Sequence, residues 1–236
     1  MSLPVVMLAG GLAKRLRPVT ETIPKALVEV ADKPFAVHQL ELLQQHGVRD
    51  VAWLVGYRAD QIETALGDGS RWDMRFTYVH DGPVLLGTGG ALRRALPHLG
   101  PVFFVIYGDS YLECDFADVE RVFLERRRSA LMTVYRNEGQ FDTSNVEFEN
   151  GRIMRYDKKV RTESMHHIDW GLGVFQSSAF DPYPPERPLD LATVYQDLLA
   201  AGQLAGYEVP NRFYEIGSPA GIADTDVYLR RRAQRQ

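Results

Sequence analysis

A chain of 236 residues, 45% hydrophobic and 25% charged, is long enough to bury one sizeable α/β core. Its formal charge of −4 leaves no basic face for general nucleic-acid binding, and no apolar run approaches the length of a membrane span. A single cysteine, Cys114, rules out an intrachain disulfide, and with no signal peptide ahead of the first strand the chain is expected to be cytoplasmic.

Residues 4–7, Pro-Val-Val-Met, read as a short apolar strand. Residues 8–27, LAGGLAKRLRPVTETIPKAL, then concentrate two glycines and four basic side chains in one stretch. Gly10 and Gly11 let a ligand approach the backbone closely, and the N–H groups of such a turn form an anion cradle. Lys14, Arg15, Arg17 and Lys25 surround it with positive charge, which suits a triphosphate. Pro24 stiffens the approach to Lys25, so that its ammonium can be held in one place. The stretch has neither the GK[ST] ending of a P-loop nor the three-glycine spacing of a dinucleotide-binding turn. Ala13, where a glycine would give freedom, asks for ordinary backbone angles.

Apolar residues at Val37, Leu40 and Leu43, closed by Gly47, predict a helix over 35–46. A continuous apolar run over 51–55 predicts a strand buried on both faces; a short helix over 61–66 and a strand over 75–79 follow. Gly87-Thr88-Gly89-Gly90 opens the next helix, whose first N–H groups are expected to face whatever lies above. Residues 102–106, Val-Phe-Phe-Val-Ile, are the strongest strand candidate and stop just before Gly108-Asp109. A helix over 116–127 and a strand over 131–135 continue the alternation. It predicts an α/β fold, a Rossmann-like, mostly parallel sheet with helices on both faces. In such a sheet ligands bind at the carboxyl ends of strands, so Asp109 is placed to hold Mg²⁺.

From residue 145 the pattern changes to a hairpin around Asn150-Gly151, a strand over 168–175 and a proline-rich loop over 182–188. A helix over 189–201, a strand over 204–209 and a closing helix over 219–232 complete the chain. Arg126 to Arg128 and Arg230 to Arg232 read as solvated helix ends. His166 and His167 are too isolated to argue for zinc.

LAGGLAKRLRP followed by PKAL resembles the signature of the sugar-1-phosphate nucleotidyltransferases, with Ala13 and Lys14 where the family has glycine and threonine. Gly108-Asp109 is similar to the family's Gly-Asp metal site, and Glu215-Ile216-Gly217-Ser218-Pro219 to its second metal motif, with glutamate for aspartate. The resemblance implies a GT-A-like nucleotidyltransferase fold and one domain over 1–236. It gives a nucleotide-side half over about 1–143 and a small sugar-side β lobe over about 144–236. It implies Mg²⁺ on Asp109 and Glu215, and NTP on Leu8, Ala9, Gly10, Gly11, Lys14 and Arg15, with the nucleoside against Gly87, Thr88 and Gly89. It implies sugar 1-phosphate on Lys158, Asp169, Trp170 and Gly171. Arg15, Lys25 and Asp109 would be catalytic, and Trp170 could stack on a sugar face.

The expected reaction joins an NTP, with GTP favoured, to a sugar 1-phosphate and releases pyrophosphate, with no nucleic acid or membrane involved. The chain looks like the compact members, in particular the heptose 1-phosphate guanylyltransferase type of capsule or lipopolysaccharide biosynthesis. Asp81 to Leu86 departs from the family's Glu-Pro-Leu, so the base does not carry over from the resemblance. Uridylyl or cytidylyl transfer to N-acetylmuramate 1-phosphate or phosphocholine stays open, as does a catalytically silent nucleotide-sugar sensor.

Overall fold

The structure is a computed structural model and describes residues 3–82 and 84–234, the side chain of Lys14 excepted. The first half runs β1 (Val5–Ala9), β2 (Glu29–Val30), β3 (Lys33–Pro34), α1 (Phe35–Gln45), β4 (Asp50–Val55), α2 (Ala59–Leu66), β5 (Arg75–His80), α3 (Gly87–Ala95) and β6 (Val102–Tyr107). It continues through β7 (Ser110–Tyr111), α4 (Phe116–Arg126) and β8 (Ala130–Arg136). The second half adds β9 (Val146–Glu149), β10 (Arg152–Tyr156), β11 (His167–Gln176), α5 (Leu191–Ala200), β12 (Leu204–Glu208), β13 (Tyr214–Glu215) and α6 (Pro219–Ala233).

Four parallel strands, in the order β5-β4-β1-β6, form one side of the main sheet. Their side chains alternate between two buried layers, which is why their sequences are apolar almost without interruption. Val5, Met7, Trp53 and Phe104 face the layer under α1, α2 and α4. Val6, Leu54, Phe103 and Val105 face the layer under α3 and α5.

The sheet is mixed rather than mostly parallel. β11 runs antiparallel to β6 and also pairs with β8 and β9, while β12 joins β8 in parallel. The strands expected to form a small β lobe share the main sheet: β8 to β12 continue it through β11. The hairpin β9-β10 turns on Asn150 (φ 50°) and Gly151 (φ 77°), as the Asn-Gly pair predicts. Asp115, Asp190 and Ser218 cap α4, α5 and α6 by accepting backbone N–H bonds.

Candidate active site

Gly10, Gly56, Asp81 and Asp109 each lie just past the carboxyl end of one parallel strand, β1, β4, β5 and β6. Together they border a cavity of about 230 Å³ above the sheet edge. The glycine loop supplies Leu8, Ala9, Gly10 and Gly11, the α3 start supplies Gly87 and Thr88, and Lys25, Tyr107 and Asp109 close the far side. A Cβ on Gly10 would stand 3.1 Å from Asp81 Oδ2 and 3.4 Å from the Gly56 nitrogen, so only glycine lets this edge close up. Three strand spacings, roughly 14 Å, separate the Asp81 end from the Asp109 end. An extended nucleotide fits that span.

Two of the three residues expected to be catalytic, Lys25 and Asp109, meet directly. Lys25 Nζ lies 2.7 Å from Asp109 Oδ2, with the two side chains 21% and 27% exposed. Pro24 is extended (φ −68°, ψ 150°) and starts the 3-10 turn Lys25–Leu27, which aims the ammonium across the cavity. The Ser110 hydroxyl lies 3.5 Å from Asp109 Oδ1. Among the described residues no cluster of three His, Cys, Asp or Glu forms a ready-made metal cage. Mg²⁺ does not need one, because it takes one or two carboxylates and fills its shell with phosphate oxygens and water. Asp109, facing a cavity lined by a glycine loop, fits that donor set.

Glu215 stands beside this centre, in register with Ser110, and the Ile216 N–H donates to the Asp109 carbonyl at 2.9 Å. Its carboxylate accepts from the Gly217 N–H and from the Ser218 hydroxyl, the N-cap of α6. Arg15 is exposed, and its guanidinium lies against Gly217 rather than on the cavity wall. The role expected of the Lys14 side chain lies outside the described atoms. Ala13 corrects the reading of its backbone: it sits at φ +46°, in the left-handed region. Its carbonyl accepts from Leu16 N–H at 3.1 Å and from the buried Thr20 hydroxyl at 2.9 Å, which hold it there.

Two expected ligand contacts fail for reasons of burial. The N–H groups of Gly89 and Gly90 donate to the Leu189 carbonyl, at 2.9 and 3.1 Å. A Cβ on Gly89 would strike the Leu189 side chain at 2.8 Å, so this glycine serves packing against the 181–190 loop. Trp170 is 1% exposed inside the layer that holds Phe104 and Leu172, and has no face to offer a sugar.

Asp169 and Lys158 do gather near the cavity, around Tyr107. Lys158 Nζ lies 5.3 Å from the centre of the Tyr107 ring and 3.5 Å from its hydroxyl. The Asp169 carboxylate accepts from the Gly171 N–H at 3.1 Å and lies 3.4 Å from the Tyr156 hydroxyl. Burial pushes its pKa up, against the opposing charge of Lys158. Burial likewise holds the Tyr107 and Tyr156 phenols far above their ordinary range, so both act as neutral hydrogen-bonding groups. Gly171 sits at φ 103°, a backbone conformation that other residues rarely adopt.

Asp81 and Leu85, from the segment expected to neighbour the base, line the cavity together with Tyr107. The rule that singled out Asp109, a carboxylate at the carboxyl end of a parallel strand, applies equally to Asp81. Burial raises the Asp81 pKa, while Arg94 and the Leu86 N–H oppose the rise.

Residues 4–229 match the protein family described as nucleotidyl transferase. The chain belongs to that family, which is a family of enzymes. It is 29% identical over 221 residues to mannose-1-phosphate guanyltransferase beta-B of Xenopus laevis, covering 91% of this chain and 61% of that one. It is 34% identical over 160 residues to glucose-1-phosphate thymidylyltransferase of Streptomyces antibioticus, covering 66% of this chain and 44% of that one. The chain thus spans about half to three fifths of the length of these relatives. HddC from Yersinia pseudotuberculosis, solved with GMP-PN, superposes with a TM-score of 0.80 at 23% identity, over 96% of this chain and 99% of that one. At that identity the likeness speaks for the nucleotidyl transferase fold, an α/β architecture with a mixed sheet and flanking helices. Among the described residues no helix is long and apolar enough to cross a membrane.

Proposed function

We propose that the chain transfers a nucleotidyl group from an NTP, with GTP favoured, to a hexose or heptose 1-phosphate and releases pyrophosphate. The observation that carries this reading is the Lys25–Asp109 pair, 2.7 Å apart on the wall of a cavity floored by the glycine loop. The ammonium and the carboxylate it bonds would flank the reacting phosphates of a bound NTP. The guanyltransferase relative of Xenopus laevis supports GTP, and its acceptor supports a hexose phosphate. The thymidylyltransferase relative shows why base and sugar need a direct test.

In this reading the acceptor phosphate oxygen attacks the α-phosphorus in line and the bond to pyrophosphate breaks, so no protein nucleophile is required. The work of the chain is positioning and charge stabilisation. The glycine loop donates N–H groups to the triphosphate, Lys25 neutralises charge growing at the α-phosphate, and Arg15 meets the β/γ end from the loop rim. Lys158 and Asp169 hold the acceptor, the lysine on its phosphate and the carboxylate on its hydroxyls. Asp109, joined by Glu215 once its carboxylate leaves the Gly217 N–H, would hold Mg²⁺, which supplies charge neutralisation on the phosphates when bound.

A pyrophosphate-release assay of GTP, UTP, CTP and dTTP against mannose, glucose, heptose and N-acetylmuramate 1-phosphates and phosphocholine tests it. The expected result is turnover with GTP and a hexose or heptose 1-phosphate. Turnover confined to phosphocholine would move the chain to another acceptor class, and none with any pair would leave the silent-sensor reading.

A further inference from the structure

Gln39 is 3% exposed, and every other buried residue of α1 is apolar. A buried amide costs free energy unless its donors and its acceptor are bonded. Gln39 meets half of that requirement. Its Nε2 donates to the Ser110 carbonyl at 2.8 Å and lies 3.4 Å from the Tyr107 carbonyl. Its Oε1 is buried and, among the described residues, has no partner. Two carbonyls on one side fix which way the amide faces, and the oxygen is left over. A void of about 10 Å³ lies beside it, lined also by Leu42, Leu43, Ile106, Leu112 and Phe116. An apolar side chain would serve the packing of α1, so the reason for glutamine lies in the two carbonyls it holds.

Those carbonyls bracket Gly108 and Asp109. The Gly108 N–H donates to the Leu8 carbonyl at 3.0 Å, and the Asp109 carbonyl accepts from Ile216 N–H at 2.9 Å. The backbone on either side of β1 and β13 thus holds this turn, and α1 holds it through one side chain. One helical turn earlier, the Phe35 N–H donates to the Val28 carbonyl at 2.9 Å. The Val28 N–H in turn donates to the Lys25 carbonyl at 3.0 Å. Residues four apart share one face of a helix, about 6 Å from one another along its axis. Helix α1 therefore grips the Lys25 turn with one residue and the Asp109 turn with another.

We propose that Gln39 is a positioning residue that sets the Lys25–Asp109 pair, by tying the Asp109 turn to the helix that anchors Lys25. The proposal rests on the nucleotidyl-transfer reading above. Gln39 is not among the residues lining the cavity, so it acts through the turn. In-line transfer depends on alignment, and a misplacement of about 1 Å can cost about 100-fold in rate. The glycine loop keeps its own contacts with the NTP when the turn loosens.

The test compares wild type with Gln39→Met, Gln39→Asn and the control Leu43→Val. Methionine keeps the length and gives up the bonds, while asparagine keeps an amide one methylene short of the turn. Leu43 is 1% exposed on the same helix, and its side chain has no hydrogen bond to offer the turn. Three quantities are read: turnover at saturation with the NTP KM, melting temperature, and Mn²⁺ affinity by electron paramagnetic resonance. Mn²⁺ is titrated beside the α,β-methylene analogue of the NTP used, or of GTP where none is. Both Gln39 variants should lower kcat by about 10–100-fold, with the NTP KM within about threefold. Both should weaken Mn²⁺ binding by about 10-fold, the scale for losing a group that orients a metal ligand. Leu43→Val should lower Tm and keep the wild-type kcat and Mn²⁺ affinity. A folded Gln39 variant with wild-type kcat overturns the proposal. So does a kcat that falls as far in Leu43→Val, because the glutamine would then serve stability alone. Equal Mn²⁺ affinity in wild type and the Gln39 variants also overturns it. Wild type that turns over no substrate pair removes the nucleotidyl-transfer reading, and Mn²⁺ affinity then decides the role of Gln39 by itself.

Discussion

Lys25 and Asp109 lie 84 positions apart in the chain and 2.7 Å apart in the fold. Pro24 fixes the approach of one, and the carboxyl end of β6 fixes the other. Because the ammonium is already placed, Lys25→Gln is expected to lower kcat by about 10²–10³-fold, or about 2.7–4 kcal/mol, while NTP affinity changes little. Calorimetry of NTP binding alongside turnover at saturation checks this; a hundredfold loss of affinity with unchanged kcat would show that Lys25 only binds ground-state phosphate. Ala13 gives a second prediction. A left-handed residue other than glycine costs about 1–2 kcal/mol, partly offset by the smaller unfolded-state entropy of alanine. Ala13→Gly should therefore stabilise the chain by up to about 1 kcal/mol in urea unfolding, and a loss of stability would mean that the loop needs the alanine methyl.

Asp81 also carries a pH signature with a definite sign. Burial raises its folded pKa above 3.8, its value in a free chain, against the pull of Arg94 and the Leu86 N–H. A raised acid favours folding below its unfolded value, and that contribution is lost as pH climbs through the folded value. Asp81→Asn should thus melt higher than wild type at pH 7, the gap closing as pH falls towards 4. Melting curves over pH 4–8 read the effect, and parallel pH profiles for the two proteins would mean that burial leaves the folded pKa of Asp81 where it is in a free chain.

At the scale of elements, the start of α3 is a joint as much as a binding surface. The Leu191 N–H donates to Thr88 Oγ1 at 2.9 Å, and the Thr88 hydroxyl lies 3.3 Å from Asp190 Oδ1. The Leu189 carbonyl takes the N–H groups of Gly89 and Gly90. Thr88→Val should cost about 1–2 kcal/mol, a drop of some 2–8 °C in Tm, and Thr88→Ser should restore most of it. If valine is as stable as threonine, the hydroxyl serves the ligand alone. The same joint explains what was legible. Helix and strand positions follow from apolar period and caps, as the agreement at 35–46, 51–55 and 116–127 with α1, β4 and α4 shows. Which N–H groups stay free is decided by the 181–190 loop, about a hundred residues away. Arg230 and Arg232 teach the same lesson: Arg230 bonds Asp32 at 2.6 Å and Asp226 at 2.8 Å, and Arg232 pairs with Glu113. They pin α6 to the body of the protein, and local sequence contains no trace of those partners.

For the whole molecule, β11 is the strand that local pattern could not place. Its apolar run reads as a strand, but its insertion between β6 and β8 is set by long-range pairing, and that pairing makes one sheet of the two halves. Val105 and Met132 both register with Gly173, so a single residue of β11 sits between β6 and β8. The Tyr195 hydroxyl fills the place a Cβ at Gly173 would take, which ties α5 to the same point. Burial on both faces of β11 leaves neither half a complete core of its own: Leu172 and Val174 belong to the layer of Trp53 and Phe104, and Phe175 to the layer of Val6 and Phe103. The halves are therefore expected to unfold together. In native-state hydrogen exchange, the slowest amides of β1 and of β8 should open with the same free energy and the same dependence on urea. If β8 and β12 instead exchange at a clearly lower free energy than β1 and β4, the strands beyond β11 are a separate unit docked through it, and the sheet is continuous in geometry without being cooperative.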